Sequence, residues 1–532
     1  MPRYAYERLS AQDNSFLVAE DANHLMHVAA IQIIEAGDLR KPDGGIDVAR
    51  YKRAIEAVLH RIPRYRQRLK WIPFQNRPVW VDDPHFHIDY HIRHSALPKP
   101  GGIEELRRLT ARILTRKLDR ARPLWEIWII EGLEGDRFAA VSKIHHCMID
   151  GAAGADISQI LMSPSREAAP GDPPRFFPRP SPSAFELLAD DVQDRLGAPL
   201  RAVRGALRLF DAGVDWRAEL SARARALADL ASLALSPSSE TPLNGAIGPH
   251  RNVDWLSMPL ERVKQVRRAF GCTVNDVVLA IVTGAVREYL KLRRVDPDGI
   301  EFRVSAPVNM RDASERGRLG NHVSSWVVPL PLDEPDPAMQ LARIHETTSS
   351  IKESRQELGV EVLMKGFEIL PQSLFSVAAR AVAGPTNMIV TNVPGPPFPL
   401  YLLGAKLEEM VPFVPLLPGS GLGIALFSYD GRLTWGLAAD DALVPDLDDF
   451  ALLVEESFER LFAAALARSR AAHAAQATDA AYDTGSVVSP RTDAAVALAA
   501  PPAAAADRVE EEEKEEPPPV EPRASVGRVE QA

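Results

Sequence analysis

The sequence has little cysteine and lacks a long apolar run. Its 532 residues include two cysteines, Cys147 and Cys272. Two thiols cannot build a disulfide framework, which excludes the small disulfide-stapled secreted proteins and indicates a reducing compartment. No stretch approaches the roughly 18 consecutive apolar residues of a membrane span, and the opening MPRYAYERLSAQDNSF lacks the apolar segment of a signal peptide. We therefore expect a cytoplasmic protein whose contact with any membrane is peripheral.

Net charge is also small outside the C-terminal end. The formal net charge is −10, but the residues from Ala471 onward include 12 acidic and five basic side chains, a net of −7. The remaining −3 gives no reason to expect nucleic-acid binding. The same C-terminal segment is mostly alanine, proline and acid, with too little apolar bulk to offset chain entropy. We predict a disordered tail over 471–532.

The length is too great for one hydrophobic core, since cores stop growing near about 250–300 residues. We therefore expect about two domains in a chain whose 46% hydrophobic content is typical of a globular protein. Strand and helix patterns occur in both halves, and the proline-rich SPSREAAPGDPPRFFPRPSPS between them is typical of a linker. The predicted division is a first domain over 1–163, a linker with connecting helices over 164–250 and a second domain over 251–470.

The stretch SKIHHCMIDGAAG, residues 142–154, places two histidines at the end of the predicted strand RFAAVSKIHH. Side chains on a strand alternate between its faces, so His145 and His146 cannot share one role. His146 continues the face of Ile144, which we interpret as the less charged and better buried face. A neutral imidazole there can act as a general base near pH 7. A histidine that is merely packed at a strand end is the alternative.

The residues after the histidines allow more than one interpretation. Asp150 could pair with an arginine, Arg311 in PVNMR being a candidate, or cap the helix that begins GAAGADISQIL. Gly151 permits a close backbone approach or a positive φ angle. Cys147 is a poor candidate nucleophile, because adjacent strand residues face opposite ways. Zinc spacing of the HEXXH type is absent, so we expect no metal ion at this motif.

HHCMIDG matches the HHxxxDG motif that acyl-CoA-dependent acyltransferases share with peptide-synthetase condensation domains. Other segments are more specific, and over roughly Leu9 to Leu466 the chain resembles the bacterial bifunctional wax ester synthase/diacylglycerol acyltransferase family. The similar segments are LSAQDNSFLVAED, RPLWEIWIIEGL with Pro123, Leu124 and Trp125, GCTVNDVVLA with Asn275 and Asp276, PVNMR, GNHVSSWVVPLP, TNVPGP and SYDGRLTWGL.

The resemblance implies an α/β fold of the two-domain, CoA-dependent acyltransferase type, like chloramphenicol acetyltransferase, with the domains facing each other across a tunnel. It implies transfer of a long acyl chain from acyl-CoA, a substrate, to diacylglycerol and to long-chain alcohols, with no cofactor. By the motif, His146 is the catalytic base and Asp150 the structural member, while Asn275 and Asp276 lie near the site. A tunnel is reasonable because each buried CH₂ contributes about 0.8 kcal/mol, or on the order of 10 kcal/mol for a long chain.

Lipid alcohols reside in membranes and droplets, so we expect the enzyme to meet its acceptor at a membrane or lipid-droplet surface. The candidate contact is the helical, arginine-containing region Leu196–Leu235, which also fits a simple connector between domains.

Several alternatives remain open from the sequence. Asn275 could donate to the oxyanion, while Thr273 with Asp276 also resembles a helix capping box. Leu124 and Trp125 are interpreted as core. For the whole chain, the alternatives are an amide-forming condensation-like enzyme and a non-catalytic lipid-binding protein, against which the intact HHxxxDG motif argues.

Overall fold

The computed structural model describes residues 6–74, 78–148, 160–167, 171–193, 238–309, 323–354 and 386–483. The predictions for Asp150, Gly151, Arg311 and Leu196–Leu235 lie outside these ranges. The strands are β1 (Glu7–Arg8), β2 (His27–Glu35), β3 (Gln67–Trp71), β4 (Pro78–Asp82), β5 (Ile92–Ala96), β6 (Trp125–Leu133), β7 (Arg137–His145), β8 (Arg251–Pro259), β9 (Phe302–Asn309), β10 (Val323–Leu330), β11 (Met388–Pro394), β12 (Tyr401–Leu402), β13 (Ala405–Phe413), β14 (Leu422–Tyr429) and β15 (Arg432–Asp440). The α-helices are α1 (Ala11–Ala19), α2 (Val48–Val58), α3 (Ile88–His91), α4 (Ile103–Leu114), α5 (Leu260–Phe270), α6 (Val274–Leu292), α7 (Pro337–Ser354) and α8 (Leu447–Asp483), with a further helical segment over 184–193.

The first sheet holds the histidine stretch near its middle. Its strand order is β12-β13-β2-β7-β6-β5, and the neighbours are antiparallel except β5 and β6. The turn between β6 and β7 uses Gly135 and Asp136, both with positive φ. β7 is covered on both faces, since Phe138 and Ala140 belong to one apolar cluster while Ala139 and Val141 belong to another. A strand apolar on both faces suits this buried position.

The second sheet has the order β10-β9-β11-β14-β15-β8 and mixes parallel with antiparallel neighbours. Its core partner is α6, whose side chains are buried over most of its length. The sequence TVNDVVLAIVTGAVREYLKL is apolar nearly all round at its start, a pattern that predicts a buried helix, and the structure has one there. A helix apolar nearly all round must be enclosed by other elements, and here Tyr289 and Phe450 of α8 make an edge-to-face contact at 5.4 Å.

One strand pairing crosses the predicted domain division, which stays a prediction. β12 and β13 belong to the 251–470 range, yet β13 pairs with β2 and extends the first sheet. Residues 251–470 therefore complete the sheet that carries His145. The described residues up to His473 form one compact unit.

The backbones of β15 and β13, one strand from each large sheet, lie in contact at Gly436. A Cβ added to Gly436 would lie 1.7 Å from the carbonyl oxygen of Pro412. No side chain fits at that separation, so glycine is required there by the backbone contact. Gly436 lies in SYDGRLTWGL, and the segment therefore has a packing role where the sheets meet.

The linker begins by docking on a small third sheet of order β1-β4-β3. Arg179 binds Asp82 through two side-chain hydrogen bonds of 2.8 Å, and Lys70 donates to Ser181 at 3.0 Å. Leu187 packs with Ile72 and its apolar neighbours. Proline prevents regular structure over 171–183, as expected, but side-chain contacts still fix this part of the linker.

Two local predictions differ from the structure. The segment FHIDYHI, residues 86–92, predicts a short strand from its sequence, but the short helix α3 precedes β5 there, because His87 caps it by accepting from the Asp89 N–H. The tail was expected to be disordered from 471, but α8 continues to Asp483. Alanine-rich RAAHAAQATDAAYD has high helix propensity, which outweighs its shortage of apolar bulk. The remaining tail lies outside the described residues.

Among the helices of the described ranges, none is by itself long and apolar enough to span a membrane. One pair, Leu260–Phe270 with Val274–Leu292, meets the length and composition criterion together and is bent by 99°.

Candidate active site at the end of strand β7

His146 follows directly after β7, in a turn that covers residues 146–148. Its backbone N–H donates to the carbonyl of Met26 at 2.8 Å. Its ring stacks on Phe16 of α1, with 4.0 Å between ring centroids and 21° between planes. The side chain is half-buried. The segment LSAQDNSF thus contributes the aromatic face against which the candidate base is held.

Strand β7 ends at His145 and His146 lies in the following turn, so the predicted placement of the two histidines on opposite strand faces stays a prediction. The predicted ranking of the two faces of β7 was wrong. His145 is 1% exposed, whereas His146 is only half-buried. The more charged face is the better buried one because its polar groups find partners inside. Lys143, also fully buried, donates to the carbonyls of Ile113 and Arg116 at 3.1 and 2.7 Å, at the C-terminal end of α4.

His145 contacts a carboxylate that the sequence reasoning missed. The Oε1 atom of Glu20 lies 3.7 Å from His145 Nε2 and 3.1 Å from His27 Nε2. Its Oε2 atom accepts from Arg120 at 2.7 Å. The side chains of Glu20, His27 and His145 are 3%, 2% and 1% exposed. A buried carboxylate is tolerated because a permanent cation and two ring nitrogens surround it.

Burial sets the ionisation of this cluster. It lowers the pKa of His145 to about 3, and the neighbouring His27 acts in the same direction. Burial likewise lowers the pKa of His27, although the nearby Glu20 carboxylate acts in the opposite direction. For Glu20, burial alone would raise the pKa, but the His27 ring at 3.1 Å and the neighbouring His145 and Arg120 lower it to about 2. At neutral pH the cluster therefore holds an ionised Glu20 and two neutral histidines.

The backbone around His145 is tied to a segment singled out in the sequence. The N–H of His145 donates to the carbonyl of Leu124 at 3.0 Å. Leu124 and Trp125 are completely buried, and the Trp125 indole N–H donates to the Tyr65 carbonyl at 2.8 Å. The interpretation of Leu124 and Trp125 as core residues is confirmed. The Pro-Leu-Trp segment supports the strand end rather than supplying a reacting group.

Glu20, His27 and His145 are also the residues that could hold a metal ion, since their ligand atoms lie within 4.8 Å of one another. Sequence spacing gave no sign of this set, because its members are separated by up to 125 positions. The guanidinium of Arg120 lies on the same carboxylate, and its charge opposes that of a divalent ion. The expectation that no metal binds at the motif stays a prediction.

Cys147 is fully buried, and burial raises the pKa of its thiol well above the usual value. A thiol that stays protonated is a poor nucleophile. The geometry therefore agrees with the expectation that Cys147 does not attack the substrate.

Asn275 and Asp276, adjacent in sequence, differ in burial and in their contacts. Asp276 is 1% exposed and forms a capping box with Thr273 at the start of α6. Its carboxylate also accepts from Thr348 and contacts His345 Nδ1 of α7, each at 2.8 Å. Asn275 is exposed, and its Oδ1 accepts from Asn392 Nδ2 at 2.9 Å. The capping-box interpretation is confirmed, and Asp276 is committed to holding α6 and α7 together.

The structure does not bring all the predicted site residues together. Among the described residues, no hydrogen bond or ion pair joins Asn275 or Asp276 to His145 or His146. Asn275 does meet Asn392 in TNVPGP, and the next residue, Val393, packs against the apolar cluster that contains Cys147. This places the end of β11, and Asn275 with it, beside the core of the first sheet.

A cleft of about 730 Å³ lies elsewhere, between α4 and β8. Charged side chains of both signs line it, among them Arg107, Arg108 and Asp254. The lining does not suit an apolar acyl chain, and His146 is not part of its wall. The tunnel expected for the acyl chain is therefore not this cleft and stays a prediction.

Comparison with solved structures defines the class of protein. A wax ester synthase/diacylglycerol acyltransferase from Marinobacter aquaeolei VT8 matches with a TM-score of 0.60 and 25% sequence identity, over 86% of this chain and 99% of that chain. The first condensation domain of the calcium-dependent antibiotic synthetase matches with a TM-score of 0.57 at 18% identity, over 87% and 97%. The second likeness shows the fold alone. The fold is that of the acyltransferases and condensation domains that resemble chloramphenicol acetyltransferase.

The sequence identifies the family within this class. Residues 9–278 match the wax ester synthase/diacylglycerol acyltransferase catalytic domain, and residues 319–462 match the WS/DGAT C-terminal domain. Two Mycobacterium tuberculosis proteins named diacylglycerol O-acyltransferases are 31% and 32% identical, over 86% and 84% of this chain and 96% and 97% of their own lengths. The chain belongs to the wax ester synthase/diacylglycerol acyltransferase family and is an acyltransferase.

Proposed function

We propose that this chain transfers a long-chain acyl group from acyl-CoA to the hydroxyl of diacylglycerol, and also of long-chain alcohols, with His146 as general base. Family membership supports the reaction. The observation that carries the assignment of the base is the contrast within the histidine pair. His145 is enclosed in a cluster with Glu20, whereas His146 stands in the turn after β7 with a half-buried ring.

The chemistry needs one base and no covalent intermediate on the protein. The neutral ring of His146 accepts the hydroxyl proton while the oxygen attacks the thioester carbonyl. A tetrahedral oxyanion forms, the carbon–sulfur bond breaks, and the imidazolium returns the proton to the departing CoA thiolate. The products are the ester and CoA thiol, and His146 is neutral again.

Asn275 is proposed as a donor to the oxyanion. The bond from Asn392 occupies its Oδ1 atom and so orients the amide, which leaves the NH₂ group to donate elsewhere. An amide donor fixed before the reaction stabilises developing charge well. Asp276, although next in sequence, has its carboxylate committed to Thr273 and α7 and is proposed as a structural member of the pair.

Asp150 and Gly151 keep the roles that the family motif implies. Asp150 is proposed as a structural carboxylate after the histidines, and Gly151 as the position that lets the chain turn there. Loss of thermal stability together with activity in Asp150→Asn would support this role for Asp150. An unchanged melting temperature would contradict it.

The direct test is release of CoA thiol from a long-chain acyl-CoA, with diacylglycerol, hexadecanol or a primary amine as acceptor. We expect release with the two alcohols and formation of the corresponding esters. Amide formation in preference to ester would favour the condensation-like alternative. No release with any lipid alcohol, by protein that still binds acyl-CoA, would favour a lipid-binding role.

Contact with a lipid surface is part of the proposal. The predicted segment Leu196–Leu235 lies outside the described residues, but another feature supports contact. Phe74, Phe177 and Phe185 are 99%, 78% and 79% exposed. Phe74 lies beyond the end of β3, and the other two flank the part of the linker that docks on the same small sheet through Arg179. Exposed aromatic side chains are typical of surfaces that enter the headgroup region.

Flotation with anionic liposomes tests this contact. Phe74→Ser combined with Phe185→Ser should reduce the bound fraction, whereas Phe398→Ser, at an exposed phenylalanine of another loop, should not. Charge reversal at Arg201, Arg204 and Arg208 examines the sequence-based candidate separately, and its effect should weaken as salt rises. Protein that stays in the soluble fraction at low salt would contradict the proposal.

A further inference from the structure

We propose that Glu20 is a positioning residue for catalysis: through His27 and His145 it fixes the two strand ends that hold His146. This inference rests on the proposed role of His146 as the base. Glu20 itself touches no reacting group, because its side chain is buried beneath the turn, 3% exposed.

The first step is the bridge between two strands. His27 of β2 and His145 of β7 are direct partners in the strand register. Glu20 Oε1 lies 3.1 Å from the ring of the first and 3.7 Å from the ring of the second. One residue further along, His146 N–H donates to Met26 O at 2.8 Å. Glu20 therefore contacts both His27 and His145, the strand pair next to the hydrogen bond that holds the His146 backbone.

The second step concerns the tautomer of His145. The backbone N–H of Cys147 donates to His145 Nδ1 at 3.2 Å. Nδ1 must therefore carry the lone pair, and in the neutral ring the proton must be on Nε2. Nε2 faces the Glu20 carboxylate, which stabilises that proton position. The other tautomer carries its proton on Nδ1 and cannot accept from the Cys147 N–H. Removing the carboxylate makes that tautomer less unfavourable.

The third step is the effect on the turn. His146 N–H binds Met26 O, Cys147 N–H binds the His145 ring, and Met148 N–H binds His145 O at 2.9 Å. Three consecutive amide groups are thus fixed, two of them by His145 itself. Rotation of the His145 ring or loss of its tautomer would release the peptide that follows His146. A displacement of about 1 Å at a reacting group can lower a rate by roughly 100-fold.

The test compares Glu20→Gln with Glu131→Gln. Glu131 is a matched control because it pairs with His94 at 2.6 Å on the same sheet, at a more exposed place. We expect Glu20→Gln to lower kcat by roughly 10- to 100-fold with little change in KM for acyl-CoA, while the control leaves both unchanged. Wild-type kcat in Glu20→Gln, or a loss confined to KM, would overturn the proposal.

A spectroscopic measurement separates positioning from simple loss of structure. In ¹⁵N-histidine-labelled protein, the His145 ring should show a protonated Nε2 and an unprotonated Nδ1, and Glu20→Gln should weaken this pattern. The His145 signals are assigned by their absence in His145→Asn. A wild-type tautomer pattern in folded Glu20→Gln would overturn the proposal.

A double-mutant cycle tests whether Glu20 acts through His145. Asparagine at 145 can still accept from Cys147 N–H, but it has no tautomer for Glu20 to select. His145→Asn should therefore retain more kcat than His145→Gln, and adding Glu20→Gln to it should cost less than in the wild-type background. Independent, multiplicative losses would contradict the mechanism. If Glu20→Gln does not fold, the comparison of His145→Asn with His145→Gln still decides the matter.

Two further outcomes are informative. A stoichiometric first-row metal ion that co-purifies with the wild-type protein and is lost in Glu20→Gln would overturn the positioning role of Glu20 in favour of a metal site. Near wild-type turnover in His146→Ala would contradict the proposed role of His146 as general base, on which the inference rests. Unchanged kcat in Glu20→Gln, together with an inactive His146→Ala, would contradict only the positioning role of Glu20.

Discussion

The turn after β7 and the start of α6 each contain two adjacent polar residues. At both places one residue of the pair is buried and the other is more exposed. At β7, His145 is buried against Glu20 while His146 stacks half-buried on Phe16. At α6, Asp276 is buried in a capping box while Asn275 is exposed. In each pair the more buried residue holds the backbone, and its more exposed neighbour is the proposed reacting group. The members of such a pair should therefore fail in different ways when replaced.

The largest effect is expected at the half-buried member of the histidine pair. His146→Ala should lower kcat by roughly 10²–10⁴-fold, because it removes the general base. The melting temperature should change little, since the backbone bond to Met26 does not depend on the side chain. Steady-state CoA release and a thermal scan measure the two quantities. Wild-type turnover would rule out His146 as the base.

The exposed member of the second pair should give the next largest effect. Asn275→Ala should lower kcat by up to roughly 10²–10³-fold if its amide donates to the oxyanion, with little loss of stability at an exposed side chain. Asn275→Asp keeps the size but replaces the donor with a carboxylate, and should be equally inactive. Full activity in both variants would assign the oxyanion to another donor.

Its buried neighbour should show the opposite pattern. Asp276→Ala removes the cap of α6 and the bonds to α7, so the free energy of unfolding should fall by about 2–4 kcal/mol. Chemical denaturation measures this loss, and the folded fraction should keep a kcat closer to wild type than Asn275→Ala does. A stable Asp276→Ala protein with no activity would contradict the division of roles.

The buried histidine makes a prediction about pH. The pKa of His145 is lowered to about 3 in the folded chain, so as pH falls from about 6.5 the unfolded chain binds a proton that the folded chain does not. Stability should fall towards low pH, by about 1.4 kcal/mol per pH unit for this group. Urea unfolding between pH 5 and 7 should show a smaller slope in His145→Asn.

The smallest effect is expected in the tail. Truncation after Asp483, where α8 ends, should leave kcat and the melting temperature unchanged, because the removed residues have too little apolar bulk to form a core. Lost activity in a folded truncation would show that the tail reaches the site.

Features that depend on neighbouring residues could be predicted from the sequence. Alternation along β7 separated His145 from His146, and Thr273 with Asp276 indicated the cap of α6. The sequence could not show which face of β7 is the better buried. That face carries Lys143, whose charge is accommodated only because carbonyls at the end of α4 accept its hydrogen bonds. The family motif gave His146 its proposed role, which alternation alone left open.

Features that depend on distant pairing were missed. Glu20 lies within LSAQDNSFLVAED, but its contact with His145 arises only when β2 pairs with β7 and α1 folds over their ends. The addition of β13 to the first sheet joins residues more than 370 positions apart. No local periodicity encodes which strand becomes the neighbour of another.

The central claim is that His146 reacts and His145 anchors, and the pH dependence of kcat tests it most directly. A general base must be neutral, so kcat should fall on the acid side as the base is protonated. Because His145 stays neutral down to a pKa of about 3, His145→Asn should keep this acid limb at the wild-type midpoint while its rate is lower. An acid limb that disappears or moves in His145→Asn would identify His145 as the titrating base and contradict the account.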